Sequence, residues 1–150
     1  MNITTDVEDT RWVTLPEVEA LVERAIEAVL PNDPRSVDVL LTGDAEIRVV
    51  NMKWRGKNEA TNVLSFPSPK LPVPAGQAAH LGDLVLAWDI IEREANEAQK
   101  PLIDHVVHLI VHGMLHLLGF DHEVESEGDL MEAKETEILA RLGVADPYHA

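Results

Sequence analysis

The most constraining feature of this chain is the segment 112–122, which reads His-Gly-Met-Leu-His-Leu-Leu-Gly-Phe-Asp-His. His112 and His116 are four residues apart, so on a helix both imidazoles leave the same face one turn apart. This spacing lets two ring nitrogens reach one ion at about 2.0–2.1 Å, as zinc requires. Gly119 is expected to end the helix, and the turn after it can bring His122 to the same ion. Three protein ligands leave a fourth tetrahedral position for water, which is typical of a catalytic zinc.

Segment 112–122 matches the metzincin motif H-E-x-x-H-x-x-G-x-x-H at every position except one. Gly113 stands where those proteases carry the glutamate that acts as general base. The pattern therefore predicts a metal site with His112, His116 and His122 as ligands, in which the base of a protease is missing. We expect one Zn²⁺ per chain, although three imidazoles also suit nickel, copper or iron.

The composition excludes several classes of protein. A chain of 150 residues is expected to form one domain, residues 1–150, with a core of its own. It has no cysteine, which excludes disulfides and thiolate metal sites. Neither a signal peptide nor a stretch of about 18 continuous apolar residues is visible, so we expect a soluble, cytoplasmic protein.

Charge is unevenly distributed along the chain. The formal net charge of −15 argues against a general nucleic-acid coat, because phosphate binding is driven by lysine and arginine. Basic residues nevertheless cluster within ten positions, at Arg48, Lys53, Arg55 and Lys57. This cluster is either a helix end, where cations suit the helix dipole, or a binding surface, and its position relative to the metal decides between the two.

Hydrophobic periodicity predicts the secondary structure. Residues 100–118 are expected to form a helix that is apolar on nearly all sides, so it should be buried at the centre of the domain. The Thr14-Leu15-Pro16-Glu17 segment has the form of a capping box, and Asp44 is expected to cap a second helix. With strands predicted at 2–7, 36–41, 63–66 and 81–88, the pattern indicates an α+β fold. We expect a small mixed four-stranded sheet packed with about five helices around the central helix.

Five segments carry a resemblance to the YbeY endoribonucleases, bacterial metalloproteins of ribosomal RNA maturation. Residues 112–122 resemble the signature of this family, and residues 51–57 are similar to the stretch around its functional arginine. Agreement extends to Thr61-Asn-Val-Leu-Ser-Phe-Pro67, to Gly82-Asp-Leu-Val85, and to Met131-Glu132 with Glu135 and Asp146-Pro-Tyr148. The similarity runs from about Val37 to Tyr148. It departs at Asn62, where the family usually has aspartate, so a charge-dependent role at that position is in doubt.

The resemblance implies a zincin-like topology and metal-dependent hydrolysis of single-stranded RNA, near the three-prime end of small-subunit ribosomal RNA. It also implies a part in ribosome quality control, with small-subunit ribosomal proteins and assembly factors as partners and no membrane or DNA partner. We predict that Arg55 and His112 are catalytic and that Arg55, Lys53 and Lys57 bind RNA. A metal lowers the pKa of bound water toward about 7, and a guanidinium stabilises the charge that develops on phosphate.

Several alternatives stay open at this point. His108 is either a residue that supports the site or a packed core residue. Gly113 either leaves space beside the metal for an RNA backbone or allows close packing against a neighbouring element. Two other functions are a zincin-like metallopeptidase and a non-catalytic ribosome assembly factor whose metal holds the fold.

Overall fold

The computed structural model describes residues 1–69, 72–120 and 125–148, with residues 125–127 described through their backbone only. The elements follow one another as β1 (Asn2–Val7), a short 3-10 helix (Thr10–Thr14), α1 (Val18–Val29), β2 (Ser36–Thr42), α2 (Asp44–Arg55), β3 (Val63–Pro67), β4 (His80–Ala87), α3 (Trp88–Glu97), α4 (Leu102–Leu117) and α5 (Glu125–Arg141). The expected α+β fold is confirmed, with four strands in one mixed sheet and five α-helices among the described residues.

The sheet has the strand order β1-β2-β4-β3, in which β1, β2 and β4 run parallel and β3 runs antiparallel to β4. Side chains of a strand alternate between its two faces, and β4 contributes to an apolar cluster on each. Leu84 and Leu86 join the larger cluster with residues of α1 and α4. Val85 and Ala87 join a smaller cluster with Ile47 of α2. The sheet is therefore covered by helices on both faces, and β3 forms one of its edges.

Helix α4 lies at the centre of the fold, as its sequence predicted. It contacts α1, α3 and α5 as well as strands β3 and β4. From Val106 to Leu117 every residue is buried except His108, His112 and His116. The helix ends at Leu117, and Gly119, two residues later, has a φ of 96°, in the left-handed region that glycine favours. The amide of Phe120 then donates to the carbonyl oxygen of Leu115 at 3.0 Å, which closes the turn.

Two capping predictions are wrong. The residue before α1 is Glu17, which has a φ of 50° and makes no side-chain cap, while the Thr14 hydroxyl donates to the carbonyl of Arg11. The segment 10–14 forms a separate 3-10 helix because Trp12 is buried there and its indole N–H donates to the carbonyl of Thr42 at 2.8 Å. Asp44 does not cap α2 either, since its carboxylate accepts from the amide of Ile90 and Gly43 occupies the N-cap position. None of the described helices is long and apolar enough to cross a membrane.

Candidate metal centre and its cleft

Four histidines follow one stripe of α4, because their positions 105, 108, 112 and 116 are three or four residues apart. The ring centroids of successive members lie 6.1, 6.2 and 4.6 Å apart, so the His112 and His116 rings are the closest pair. His105 is buried, whereas the other three are half-buried. The apolar residues of the helix fix its position in the core, and His108, His112 and His116 are partly exposed at the edge of that core.

The last two histidines of the stripe, His112 and His116, face each other through the same kind of ring nitrogen, Nε2. Nε2 of His112 lies 3.0 Å from Nε2 of His116. Two nitrogens that each bind one zinc ion at about 2.0–2.1 Å lie about 3.3 Å apart in tetrahedral geometry. The separation in this structure therefore fits two ligands of a single ion.

The other nitrogen of each ring fixes its tautomer. Nδ1 of His116 lies 3.0 Å from the carbonyl oxygen of Phe120, which can only accept, so this nitrogen carries the proton. Nδ1 of His112 lies 2.5 Å from Oε1 of Glu135. Neutral rings that donate through Nδ1 present an Nε2 lone pair, which is the state in which histidine binds a metal. Two such lone pairs 3.0 Å apart can share one cation, either a proton or a metal ion, that lies between them.

Glu135 of α5 has a fully buried side chain, and its carboxylate contacts two histidines of the stripe, His108 and His112. Burial raises its pKa, but hydrogen bonds from His108, His112 and Tyr148 outweigh that effect and lower the pKa to about 2. Nε2 of His108 lies 3.1 Å from Oε2, and the Tyr148 hydroxyl donates to the same oxygen. Burial also raises the pKa of Tyr148, so the phenol keeps its proton as a donor. Glu135 is therefore an ionised acceptor that orients His112.

His108, His112 and Glu135 also form a group that could hold a metal, because each offers a ligand atom and these atoms lie within 4.8 Å of one another. The separations from Glu135 to His112 and His108, 2.5 and 3.1 Å, are hydrogen-bond lengths. His112 thus takes part in two arrangements, toward His116 through Nε2 and toward Glu135 through Nδ1.

A cleft of about 690 Å³ opens on the His116 side of this centre. His112 and His116 line it together with Trp54, Arg55, Phe66 and Phe120, among others. Arg55 is the last residue of α2 and is exposed. The position of Arg55 is consistent with both interpretations of the basic cluster, since the residue stands at a helix end and also lines the cleft. Lys53 and Lys57 are exposed close by in the chain but do not belong to the cleft lining among the described residues.

Asn62 lies at the border of the cleft and is held by its neighbours. Its side-chain amide donates to Oε1 of Glu94 at 3.1 Å, and its Oδ1 accepts from the amide of Val63 at 2.7 Å. The same Glu94 oxygen lies 3.0 Å from Nε2 of His105. An amide can donate to Glu94 where an ionised aspartate could not, which gives a structural reason for the neutral residue in this chain.

Gly113 packs against the sheet and leaves no open space at its Cβ position, so the structure favours close packing over the idea that the residue leaves space for RNA. A Cβ atom on this residue would lie 2.9 Å from Cδ2 of Leu84 and 3.1 Å from Oγ of Ser65. The Ser65 hydroxyl donates to the carbonyl of Gly113 at 3.1 Å. The glycine therefore allows α4 to pack closely on β3 and β4. The predicted ligand His122 and its neighbour Asp121 lie outside the described residues.

The sequence interpretation missed the structural role of Glu135, although a signal for it exists in α5. Met131, Glu135, Ile138 and Leu139 are all buried and follow helical spacing, so the glutamate occupies a core position of an amphipathic helix. A buried acid needs a partner, and the chain offers an unusual histidine-rich helix as that partner.

A family model and the relatives of this chain agree on one family. A family model described as "Endoribonuclease YbeY" matches residues 3–143. A Bradyrhizobium protein named "Endoribonuclease YbeY" is 47% identical over 145 residues, covering 91% of this chain and 86% of the relative. A Maricaulis maris protein of the same name is 50% identical over 148 residues, covering 95% and 88%. The solution structure of TM1509 from Thermotoga maritima has a similar fold, with a TM-score of 0.54, 21% identity and 99% of each chain covered.

Proposed function

The chain belongs to the YbeY family of endoribonucleases, and we propose that it cuts single-stranded RNA by hydrolysis with the aid of one metal ion at His112 and His116. The observation that carries this proposal is the Nε2 pair, 3.0 Å apart, in a cleft that Arg55 also lines. In biological terms, we propose ribosomal RNA processing, namely maturation of the three-prime end of small-subunit RNA, together with ribosome quality control.

The proposed metal ligands are Nε2 of His112 and of His116, with His122 as the third ligand on the grounds of its spacing in the sequence. The donor set suits Zn²⁺, one per chain, and it also suits other divalent transition metals. We favour this set over the group with His108 and Glu135, because Glu135 is fully buried and already accepts hydrogen bonds from His108, His112 and Tyr148. A metal in the cleft would supply Lewis acidity and a water molecule of lowered pKa.

Glu135 and the turn at Gly119 give the two rings their orientation. The Glu135 carboxylate accepts from Nδ1 of His112, which holds Nε2 toward the cleft. The carbonyl of Phe120 does the same for His116, and the left-handed Gly119 allows the chain to turn so that this carbonyl meets the ring. Fixing the ring tautomers in advance avoids a rearrangement when the metal and substrate bind.

Arg55 is proposed to act on the phosphate, since it lines the same cleft as His112 and His116. In hydrolysis, water adds to phosphorus, one P–O ester bond breaks, and the leaving oxygen takes a proton. Negative charge on the phosphate oxygens grows as the water adds. The planar guanidinium can donate two parallel hydrogen bonds to these oxygens, which an ammonium group cannot do. Lys53 and Lys57, exposed near Arg55 in the chain, are proposed to attract the RNA backbone from outside the cleft.

The proposal extends to partners and location on the basis of the family resemblance. We propose that the chain works in the cytoplasm with small-subunit ribosomal proteins and assembly factors, and that neither DNA nor a membrane is its target. Co-sedimentation of the purified protein with small ribosomal subunits, but not with large ones, is the measurement that checks the ribosomal part.

The central experiment compares three substrates. Metal-loaded and chelator-treated protein are incubated with a labelled single-stranded RNA, with a DNA strand of the same sequence, and with casein. We expect cleavage of RNA alone, by the loaded protein alone, with activity restored when zinc is returned. Cleavage of casein without RNA cleavage would instead support a metallopeptidase. RNA binding without cleavage by either form, with unfolding after metal removal, would support an assembly factor with a structural metal.

A further inference from the structure

The three tryptophans of the chain occupy very different environments. Trp12 and Trp88 have 0% and 4% of their surface exposed, and their rings pack edge to face with centroids 5.2 Å apart. Trp54 is 67% exposed. A large exposed aromatic residue is informative, because burying its apolar surface would stabilise the fold. The core uses two tryptophans, and the third one is left on the surface.

Trp54 is exposed at the cleft of the candidate metal centre. It is the residue before Arg55 at the end of α2, and both line the cavity that contains His112 and His116. Nζ of Lys53 lies over the Trp54 ring, 5.2 Å from its centroid, so a cation accompanies the ring. An aromatic face, a guanidinium and an ammonium on three consecutive residues match the parts of a nucleotide chain that such groups bind, namely a base and its neighbouring phosphates.

We propose that Trp54 is a stacking platform for an unpaired nucleobase of the RNA substrate, next to the nucleotide whose phosphate meets Arg55. This inference rests on the proposed function. Its consequence is selection by strandedness, since a base in a duplex is stacked between its neighbours and cannot offer its face to a side chain. Stacking tolerates any base, because every base has a π face, so Trp54 would impose little sequence preference.

The test uses metal-loaded protein and a single-stranded RNA oligonucleotide that the wild type cleaves. Trp54→Ala removes the platform, Trp54→Phe keeps a smaller one, and Val49→Ala is the matched control. Val49 is an exposed apolar residue of α2, at 58%, and it lines a different cavity. We expect a rise in KM of about ten-fold for Trp54→Ala with kcat changed less than about two-fold, a smaller rise for Trp54→Phe, and no change for Val49→Ala.

An abasic scan makes the test specific. Each base of the oligonucleotide is removed in turn and the backbone is kept. At one position, removing the base should raise the KM of the wild type as much as the Trp54→Ala substitution does. Removing the same base should not raise the KM of the Trp54→Ala variant any further, since the two changes remove the same contact. Tryptophan emission supplies a second readout, because RNA should quench Trp54 and leave the signal of the Trp54→Phe variant, which comes from Trp12 and Trp88, unchanged.

The outcomes separate this inference from the proposed function. If the wild type cleaves RNA and Trp54→Ala has an unchanged KM, the platform is wrong and the endoribonuclease stands. The platform is also wrong if, at every position, removing the base raises the KM of the wild type and of the Trp54→Ala variant by the same factor. A wild type that cleaves no RNA with metal bound overturns both proposals.

Discussion

Nδ1 of His112 and Oε1 of Glu135 lie 2.5 Å apart, although the two residues belong to different helices, α4 and α5. Through this bond a fully buried carboxylate sets the orientation of a ring that lines the cleft. The packing of α5 on α4 therefore helps to orient His112 in the candidate centre, in addition to forming part of the core. The first two predictions follow from this relationship.

Replacing a metal ligand with alanine should sharply reduce the metal content measured by elemental analysis. We expect this loss for His112→Ala, His116→Ala and His122→Ala, and we expect His108→Ala to keep one ion per chain. Nε2 of His108 lies 3.1 Å from Oε2 of Glu135, and His108 does not belong to the cleft lining among the described residues. Full metal content in His122→Ala would refute the three-histidine set, and loss of the metal in His108→Ala would favour the group with Glu135 instead.

The substitution Glu135→Gln should weaken zinc binding by about ten- to a hundred-fold, because residues that orient a ligand typically have effects of this size. The measurement is a competition titration with a chromogenic chelator. Glu132→Gln, on an exposed position of the same helix, is the control and should bind zinc as the wild type does. Equal zinc affinity of the two variants would remove Glu135 from the centre.

Arg55→Ala should lower the rate of RNA cleavage by roughly a hundred-fold or more, since the loss of an oxyanion-type contact typically costs about 2.7–4 kcal/mol. Arg55→Lys should restore only part of the rate. Metal content should not change, because Arg55 is not a ligand in the proposed set, and the Tm should fall only slightly, because the exposed Arg55 contributes at most a helix-end interaction. Arg48→Ala, an exposed arginine of the same helix, serves as the control. An unchanged rate in Arg55→Ala would leave this residue with its helix-end role alone.

Gly113→Ala should destabilise the protein by about 1–3 kcal/mol, as overpacking of a core usually does. The added Cβ would lie 2.9 Å from a methyl group of the fully buried Leu84. Chemical denaturation measures the effect, and Ala133→Gly, at an exposed position of α5, gives the size of a plain helix-propensity change for comparison. A variant as stable as the wild type would contradict the close packing described for α4 and the sheet.

Arg11 links the end of β1 to the start of α3, because it donates to Asp9 and to Asp89. Its hydrogen bonds lower the pKa of both carboxyls below their usual value of 3.8. A lowered pKa in the folded state gives stability that is present above the unfolded value and is lost as the pH falls below it. Arg11→Met should therefore have a lower Tm than the wild type at neutral pH, and the two curves should converge as the pH falls through about 4 toward 2. A constant Tm difference over that range would contradict the assignment.

The candidate site was predictable where it depends on local helix geometry. The four-residue spacing of His112 and His116 fixes their common face, and the glycine after the last apolar turn marks the end of α4. The roles of these histidines as ligands stay predictions. The four-stranded mixed sheet and the central helix were also predictable, because the apolar positions of strands and helices have different periods.

Features that depend on packing between distant segments were not predictable in the same way. Glu135 meets His112 because α5 packs on α4. The helical spacing of Glu135 indicates that it is buried, but it does not identify which histidine of α4 the carboxylate meets. The direction in which Gly113 faces depends on the sheet beneath it, so the sequence left two explanations open and the structure favours packing. The capping box at Thr14 failed because the burial of Trp12 draws that segment into its own turn. In each case a tertiary contact overrides a local preference.

The position of the histidines on α4 has a thermodynamic consequence. The helix that would hold the metal is also the one that contacts three other helices and two strands. An ion that binds only the folded chain adds to its free energy of unfolding, by about 2.7 kcal/mol at a free concentration a hundred times its dissociation constant. Metal supply would then regulate how much of this protein persists in a cell, since chains deprived of the ion unfold more often and are exposed to proteolysis.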